Sequence, residues 1–118
     1  MRKIAPQITR QRLLMEGYYR IDVSRTVIAD YFRKISKALK LKTYGEPIIF
    51  SPGGAGREIN QGYDAFIPLI DSGISLYVWS NARFMSVIIY TCKNFDEKKA
   101  VEFTREFWKI DKIETQSF

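Results

Sequence analysis

Residues 84–92 constrain the fold most, because they are apolar on both faces of a predicted β-strand. Alternate positions carry Phe, Ser, Ile, Tyr and Cys on one side and Met, Val, Ile and Thr on the other. A strand with two apolar faces is typical of a sheet that is covered on both sides. The chain therefore needs a covering layer on each face of its sheet.

Two amphipathic helices are predicted to supply one of these layers. The first spans about residues 24–40, where apolar side chains recur every three or four positions. Asp22 or Ser24 can cap the free amides at its start. The second helix spans about residues 96–108 and begins near Asp96. Two helices are enough to cover one face of a sheet.

Six strands surround these helices in the predicted order β-α-β-β-β-β-α-β. They are expected at residues 10–20, with an interruption at Gly17, and at 48–50, 63–70, 73–79, 83–92 and 110–114. This order indicates the α+β class, as a two-layer sandwich of an antiparallel-rich sheet with two helices on one face. Nothing in the chain covers the second face, so we expect a homodimer with αββα layering. A small closed sheet is the alternative.

Length and charge limit the remaining classes of protein. The 118 residues predict one domain spanning 1–118. Neither an apolar run of membrane-spanning length nor a signal peptide is recognisable, so a soluble, cytoplasmic protein without a membrane partner is expected. The net charge of +6 and the basic residues of the first helix would suit nucleic acid. A solvated helix face explains them better, and no nucleic-acid partner is expected.

The chain contains no histidine and a single cysteine, Cys92. This composition excludes Ser-His and Cys-His catalysis, His-ligated metals, a Cys-only zinc site and an internal disulfide. We therefore expect no metal cofactor. The loop SPGGAG at residues 51–56 lacks the spacing of a phosphate-binding loop and is interpreted as a chain reversal.

Residues 71–92, DSGISLYVWSNARFMSVIIYTC, resemble the pyruvoyl segment of the bacterial and archaeal S-adenosylmethionine decarboxylases. In that family an acidic residue precedes the serine that becomes a pyruvoyl group, and an apolar strand ends in Thr-Cys. The matching positions here are Asp71, Ser72, Ser75, Trp79 and Thr91-Cys92. The similarity extends over about residues 10–114 and includes LLME at 13–16, SPGG at 51–54 and FDEKKA at 95–100.

The resemblance implies a self-made carbonyl cofactor. The Ser72 hydroxyl would attack the Asp71 carbonyl, the chain would be cut between them, and residue 72 would become a pyruvoyl group. That carbonyl condenses with the amine of S-adenosylmethionine and takes up the electrons released by decarboxylation. The product is the aminopropyl donor for spermidine synthesis. The Cys92 thiol would return a proton to the substrate, and we expect it close to Ser72 across neighbouring strands.

Several family positions are changed in this chain. The histidine and serine that assist self-cleavage in the family fall at Tyr77 and Asp64, and the glutamate that binds the ribose falls at Asn81. Tyr77 can donate a hydrogen bond to an oxyanion, and Asp64 can act as a base if it faces Ser72. By the same resemblance, substrate contacts are expected from Asn81, Trp79 and Ser75.

Three functions remain open from the sequence. The first is S-adenosylmethionine decarboxylation. The second is an uncleaved relative that binds S-adenosylmethionine or another nucleoside. The third is a pyruvoyl decarboxylase of a different amino acid, with which the loss of the ribose glutamate is consistent.

Overall fold

The computed structural model describes residues 4–118, in which six strands form one sheet and two helices pack on it. The strands are β1 (Gln11–Tyr18), β2 (Ile48–Phe50), β3 (Gly62–Leu69), β4 (Ser72–Trp79), β5 (Phe84–Thr91) and β6 (Glu114–Ser117), and the helices are α1 (Arg25–Ala38) and α2 (Glu97–Trp108). The strand order across the sheet is β2-β3-β4-β5-β1-β6, and all neighbouring strands are antiparallel. The predicted α+β architecture is confirmed.

Both helices begin at side chains that satisfy their first free amides. The Ser24 hydroxyl accepts a hydrogen bond from the Val27 amide at 3.2 Å, so Ser24 rather than Asp22 is the cap of α1. The Asp96 carboxylate accepts one from the Lys99 amide at 3.1 Å. These local bonds fix where each helix starts, as the sequence predicts.

One hydrophobic core lies between the helices and the sheet face they cover, called here the covered face. Met85, Val87 and Ile89 of β5 point into it and are fully buried. The helices are joined inside it by the Tyr31 hydroxyl and the Thr104 hydroxyl, which lie 2.8 Å apart. Burial raises the pKa of the Tyr31 phenol above its ordinary value. A neutral phenol is therefore part of the folded core.

The opposite side of the sheet, called here the open face, carries the side chains of alternate residues on the same strands. Its members include Phe50, Asp64, Phe66, Ser75, Tyr77, Ile88 and Tyr90. Phe66 is 41%, Tyr77 39% and Tyr90 42% exposed. Within one chain β5 is thus fully buried on one face only, and the homodimer stays a prediction.

Two details of the predicted strands are wrong. β1 continues through Gly17, which pairs with Met85. A Cβ atom at Gly17 would lie 2.6 Å from Cγ2 of Ile110, so this glycine makes room for a core side chain. The last strand does not begin at Ile110, which is buried directly after α2 with its amide bonded to the Arg105 carbonyl at 2.9 Å. The strand β6 follows with only exposed residues, and nothing in its sequence alternates.

No helix within residues 4–118 is long and apolar enough to cross a membrane.

Candidate active site

A two-residue turn, Ile70 and Asp71, joins β3 to β4 and is held from two sides. The Ile70 amide donates to the Lys42 carbonyl at 2.9 Å, and the Asp71 carbonyl accepts the Cys92 amide at 2.7 Å. Asp71 has φ of 61°, in the left-handed region that side chains other than glycine rarely adopt. Such a conformation costs on the order of 1 kcal/mol or more and persists because the neighbouring segments enforce it.

Ser72 is the first residue of β4 and pairs with Thr91 of β5. Side chains two residues apart on a strand point to the same face, and Ile74 points into the core. The side chain of Ser72 is therefore directed toward the covered face. The Ser72 hydroxyl is buried and makes no hydrogen bond to any of residues 4–118. An unpaired buried hydroxyl costs about 1–3 kcal/mol. This orphaned group lies directly after the Asp71 carbonyl, the position required for attack on it, and so fits the precursor of a pyruvoyl group.

The segment Thr91–Lys93 passes over this turn at the end of β5. The fully buried Thr91 hydroxyl accepts a hydrogen bond from the Lys93 amide at 2.6 Å and donates one to the Lys93 carbonyl at 2.7 Å. The Lys93 ammonium lies 3.9 Å from the Asp71 carboxylate. That exposed ion pair adds little stability. The turn therefore contacts the amide of Cys92 and the side chain of Lys93.

A cavity of about 330 Å³ opens beside the turn and brings several predicted site residues together. It is lined by Phe66, Asp71, Ser72, Gly73, Ser75, Ile88, Tyr90 and Cys92. Gly73 leaves room for the Phe66 ring, because a Cβ atom there would lie 2.9 Å from Cε1 of Phe66. Cys92 and Ser72 share this cavity, as the spacing of their strands predicts. Sequence reasoning missed Phe66 and Tyr90, although alternation along β5 places Tyr90 on the same side as Ile88 and Cys92.

Tyr77 and Asp64 lie elsewhere on the same pair of strands. They are partners across β3 and β4, and both belong to the open face. A five-residue separation puts Tyr77 about 16 Å along β4 from Ser72, and the odd spacing puts it on the other side of the sheet. Together with Arg57 and Trp79, they line a second cavity of about 470 Å³. A single chain therefore does not bring Tyr77 or Asp64 to Ser72.

Trp79 and Asn81, at the far end of β4, hold the short 3₁₀ helix Glu58–Asn60. The Trp79 indole donates to the Asn60 side-chain oxygen at 3.0 Å, and the Asn81 amide donates to the Glu58 carbonyl at 3.1 Å. These polar groups are thus engaged within the chain, and their contact with a substrate stays a prediction. In the described part of the chain, no three Cys, Asp or Glu side chains are grouped closely enough to hold a metal ion.

Comparison with known proteins agrees with this architecture. The model of the S-adenosylmethionine decarboxylase family matches residues 19–118, so the chain belongs to the S-adenosylmethionine decarboxylase family. Among solved structures, it is similar to the adenosylmethionine decarboxylase from Aquifex aeolicus VF5, with a TM-score of 0.72 and 17% sequence identity. That match covers 94% of this chain and 89% of the other, and establishes the fold. No curated protein sequence gives a significant match.

Proposed function

We propose that this chain cuts itself between Asp71 and Ser72 and then decarboxylates S-adenosylmethionine. The observation that carries the proposal is the buried, unpartnered Ser72 hydroxyl next to the left-handed Asp71. A buried group without a partner in a strained turn is costly in a purely structural element, and such costs cluster at functional sites. The decarboxylated product would be the aminopropyl donor for spermidine synthesis.

The first step would take place at this turn, beside the amide of Cys92. The Ser72 oxygen bonds to the Asp71 carbonyl carbon, the Asp71–Ser72 peptide bond breaks, and the hydroxyl proton ends on the Ser72 nitrogen. The product is an ester. Negative charge develops on the Asp71 oxygen, which already accepts the Cys92 amide at 2.7 Å. A preorganised donor at this atom stabilises the charge without further reorganisation.

The second stage releases the two pieces of the chain. Loss of the Ser72 α-proton and cleavage of its Cβ–O bond leave the Asp71 carboxylate and a dehydroalanine at position 72. Tautomerisation, addition of water and loss of ammonia convert this residue into a pyruvoyl group. That group supplies a carbonyl that condenses with the substrate amine and accepts the electrons of the departing carboxylate.

Residues of the cavity beside Ser72 would act on the substrate. Cys92 lines this cavity, which supports the proposal that its thiol returns a proton to the substrate carbon. Phe66, Ile88 and Tyr90 supply most of the remaining wall and would limit the access of water.

Tyr77 and Asp64 can contribute only if a second copy of the chain supplies them. The open face carries the large exposed side chains Phe50, Phe66 and Tyr90, and no helix or strand of residues 4–118 covers it. Pairing of two open faces around a two-fold axis would bury these side chains. The cavity beside Ser72 would then face the second copy, because its walls Phe66, Ile88 and Tyr90 belong to the open face. We therefore propose a homodimer in which Tyr77 donates to the oxyanion and Asp64 accepts a proton. Light scattering at micromolar concentration should give the mass of a dimer, and a monomeric mass would refute it.

One observation favours a second substrate class. Position 81 carries an amide instead of the family's ribose-binding carboxylate, and that amide is bonded to the Glu58 carbonyl. A pyruvoyl decarboxylase acting on a different amino acid needs no ribose contact. Turnover assays with S-adenosylmethionine and with other amino acids separate these two substrates once cleavage is established.

Intact mass measured over days, with and without hydroxylamine, tests the proposal. We expect fragments corresponding to residues 1–71 and 72–118, and hydroxylamine should increase their yield by cleaving the ester. Ser72→Ala should remain whole, whereas the control Ser75→Ala, on the same strand, should be cut. If the wild-type protein stays a single 13.8 kDa chain under both conditions, the decarboxylase proposal fails. An uncleaved protein that binds S-adenosylmethionine or another nucleoside would then replace it.

A further inference from the structure

We infer that Thr91 is a positioning residue for self-cleavage, an inference that rests on the proposed function. Its hydroxyl is fully buried and forms two hydrogen bonds, both to the backbone of Lys93. These bonds close a small ring of atoms around the intervening residue, Cys92. The Thr91 side chain thus fixes the backbone of Cys92, whose amide contacts the Asp71 carbonyl.

The end of the strand ladder explains why this bond is needed. Pairing of β5 with β4 and with β1 ends at Thr91, and the next anchor along the described chain is the Gln11 side chain, which bonds to the backbone of Phe95. The Cys92 amide nevertheless bonds to the Asp71 carbonyl at 2.7 Å, close to the preferred length for such a bond. The Thr91 hydroxyl takes over from the ladder and holds the Thr91–Lys93 backbone in one conformation.

The direction of that amide matters for the proposed reaction. An oxyanion donor works by pointing at the oxygen before charge develops there, and a displacement of about 1 Å can cost a hundredfold in rate. Without the hydroxyl, the Lys93 amide and carbonyl can turn toward water, and the Cys92 amide loses its fixed direction. Thr91 touches none of the reacting atoms of the proposed cleavage and acts through Cys92.

Three variants separate this role from ordinary packing. Thr91→Val keeps the shape of the buried side chain and removes the hydroxyl, whereas Thr91→Ser keeps the hydroxyl. Thr104→Val is the matched control, because Thr104 is also a fully buried threonine but bonds to Tyr31 in the helix layer.

The first measurement is the rate of fragment formation by intact mass. Thr91→Val should be cut about tenfold to a hundredfold more slowly than wild type, by the positioning argument above. Thr91→Ser should restore most of the rate, and Thr104→Val should be cut at the wild-type rate. Equal rates for wild type and Thr91→Val would overturn the inference. The same would follow if Thr104→Val slowed cleavage as much as Thr91→Val.

The second measurement does not depend on cleavage. In a Ser72→Ala background, amide hydrogen exchange reports how firmly the Cys92 amide is held. Adding Thr91→Val should accelerate exchange at Cys92 by about fivefold to tenfold, the effect of losing one net hydrogen bond, while the other β5 amides stay protected. Unchanged exchange at Cys92 would overturn the inference. A wild-type chain that is never cut overturns the proposed function and, with it, any role of Thr91 in cleavage, whereas cleavage without dependence on Thr91 overturns this inference alone.

Discussion

The two faces of the sheet are covered to different extents by the same chain. On the covered face, side chains from every central strand meet α1 and α2 and are excluded from water. On the open face, aromatic side chains of comparable size, such as Phe66, Tyr77 and Tyr90, remain about two-fifths exposed. Within residues 4–118 one face is covered by helices and the other is left open, and the second copy proposed above would cover it.

Strand β4 shows how this difference divides the proposed machinery. Ser72 is directed toward the covered face at one end of β4, while Tyr77 lies on the open face in its second half. The Ser72 hydroxyl is buried and the Asp71 carbonyl before it is hydrogen-bonded, whereas the Tyr77 side chain is 39% exposed. A single chain thus places the proposed nucleophile, Ser72, and the proposed helper group, Tyr77, on different faces of the sheet. If the proposed self-cleavage uses Tyr77, a second copy of the chain has to supply it.

The largest difference between the faces should appear in stability. Phe32→Ala removes a fully buried ring from the covered face and should lower the free energy of unfolding by about 3–5 kcal/mol. Phe66→Ala, the matched change on the open face, should cost about 1 kcal/mol or less in the dissociated chain. Urea unfolding at several protein concentrations measures both effects, and only the Phe66→Ala loss should increase with concentration. Equal losses at the lowest concentration would show that the open face is already complete in a monomer.

The next largest effect tests whether Tyr77 of one copy acts on Ser72 of the other. Tyr77→Phe removes a proposed oxyanion donor and should slow self-cleavage about a hundredfold to a thousandfold. Co-expression with Ser72→Ala should restore cleavage, because a mixed dimer pairs the intact Ser72 of one chain with the intact Tyr77 of the other. Since Ser72→Ala cannot be cut, every fragment seen by mass must come from the Tyr77→Phe chain. Failure of the mixture to restore cleavage would contradict the shared site.

The smallest effect concerns the pH dependence of the covered face. Tyr31 has a raised pKa in the folded protein because it is buried, so its contribution to stability is complete below the unfolded pKa of about 10 and is lost as the pH rises above it. Tyr31→Phe removes the bond to Thr104 and should cost about 1 kcal/mol at neutral pH. The difference between wild type and variant should shrink above about pH 10 in urea unfolding. A difference that stays constant through this range would contradict the assignment.

The parts of the fold that local chemistry determines could be predicted from the sequence. Period and capping residues predicted both helices, with Asp96 as one cap and Ser24 as one of two candidates for the other. Three β-rich segments predicted β3, β4 and β5. The strand β6 could not be found, because its exposed residues lie along β1 without any apolar pattern, while Ile110 is drawn into the core.

The sequence predicted which residues belong to the candidate site but not how their side chains are oriented. Resemblance selected Asp71, Ser72 and Cys92, which the structure brings together at one cavity. The direction of Ser72 was not readable, because the turn before it depends on bonds from distant segments, at Lys42 and Cys92. That Ser72 and Tyr77 lie on different faces became clear only because β4 begins at Ser72 itself.

The order of strands across the sheet determines what a cut at Ser72 would do to the molecule. The piece before the cut contains β1, β2 and β3, and the piece after it contains β4, β5 and β6. In the sheet, β1 lies between β5 and β6, so the two pieces are interleaved and share three strand interfaces. Separation would require breaking all three together with the contact between α1 and α2. A severed chain would therefore persist as a tightly joined heterodimer of fragments. Once unfolded, its two pieces would have to find each other again, and regaining the fold would depend on their concentration.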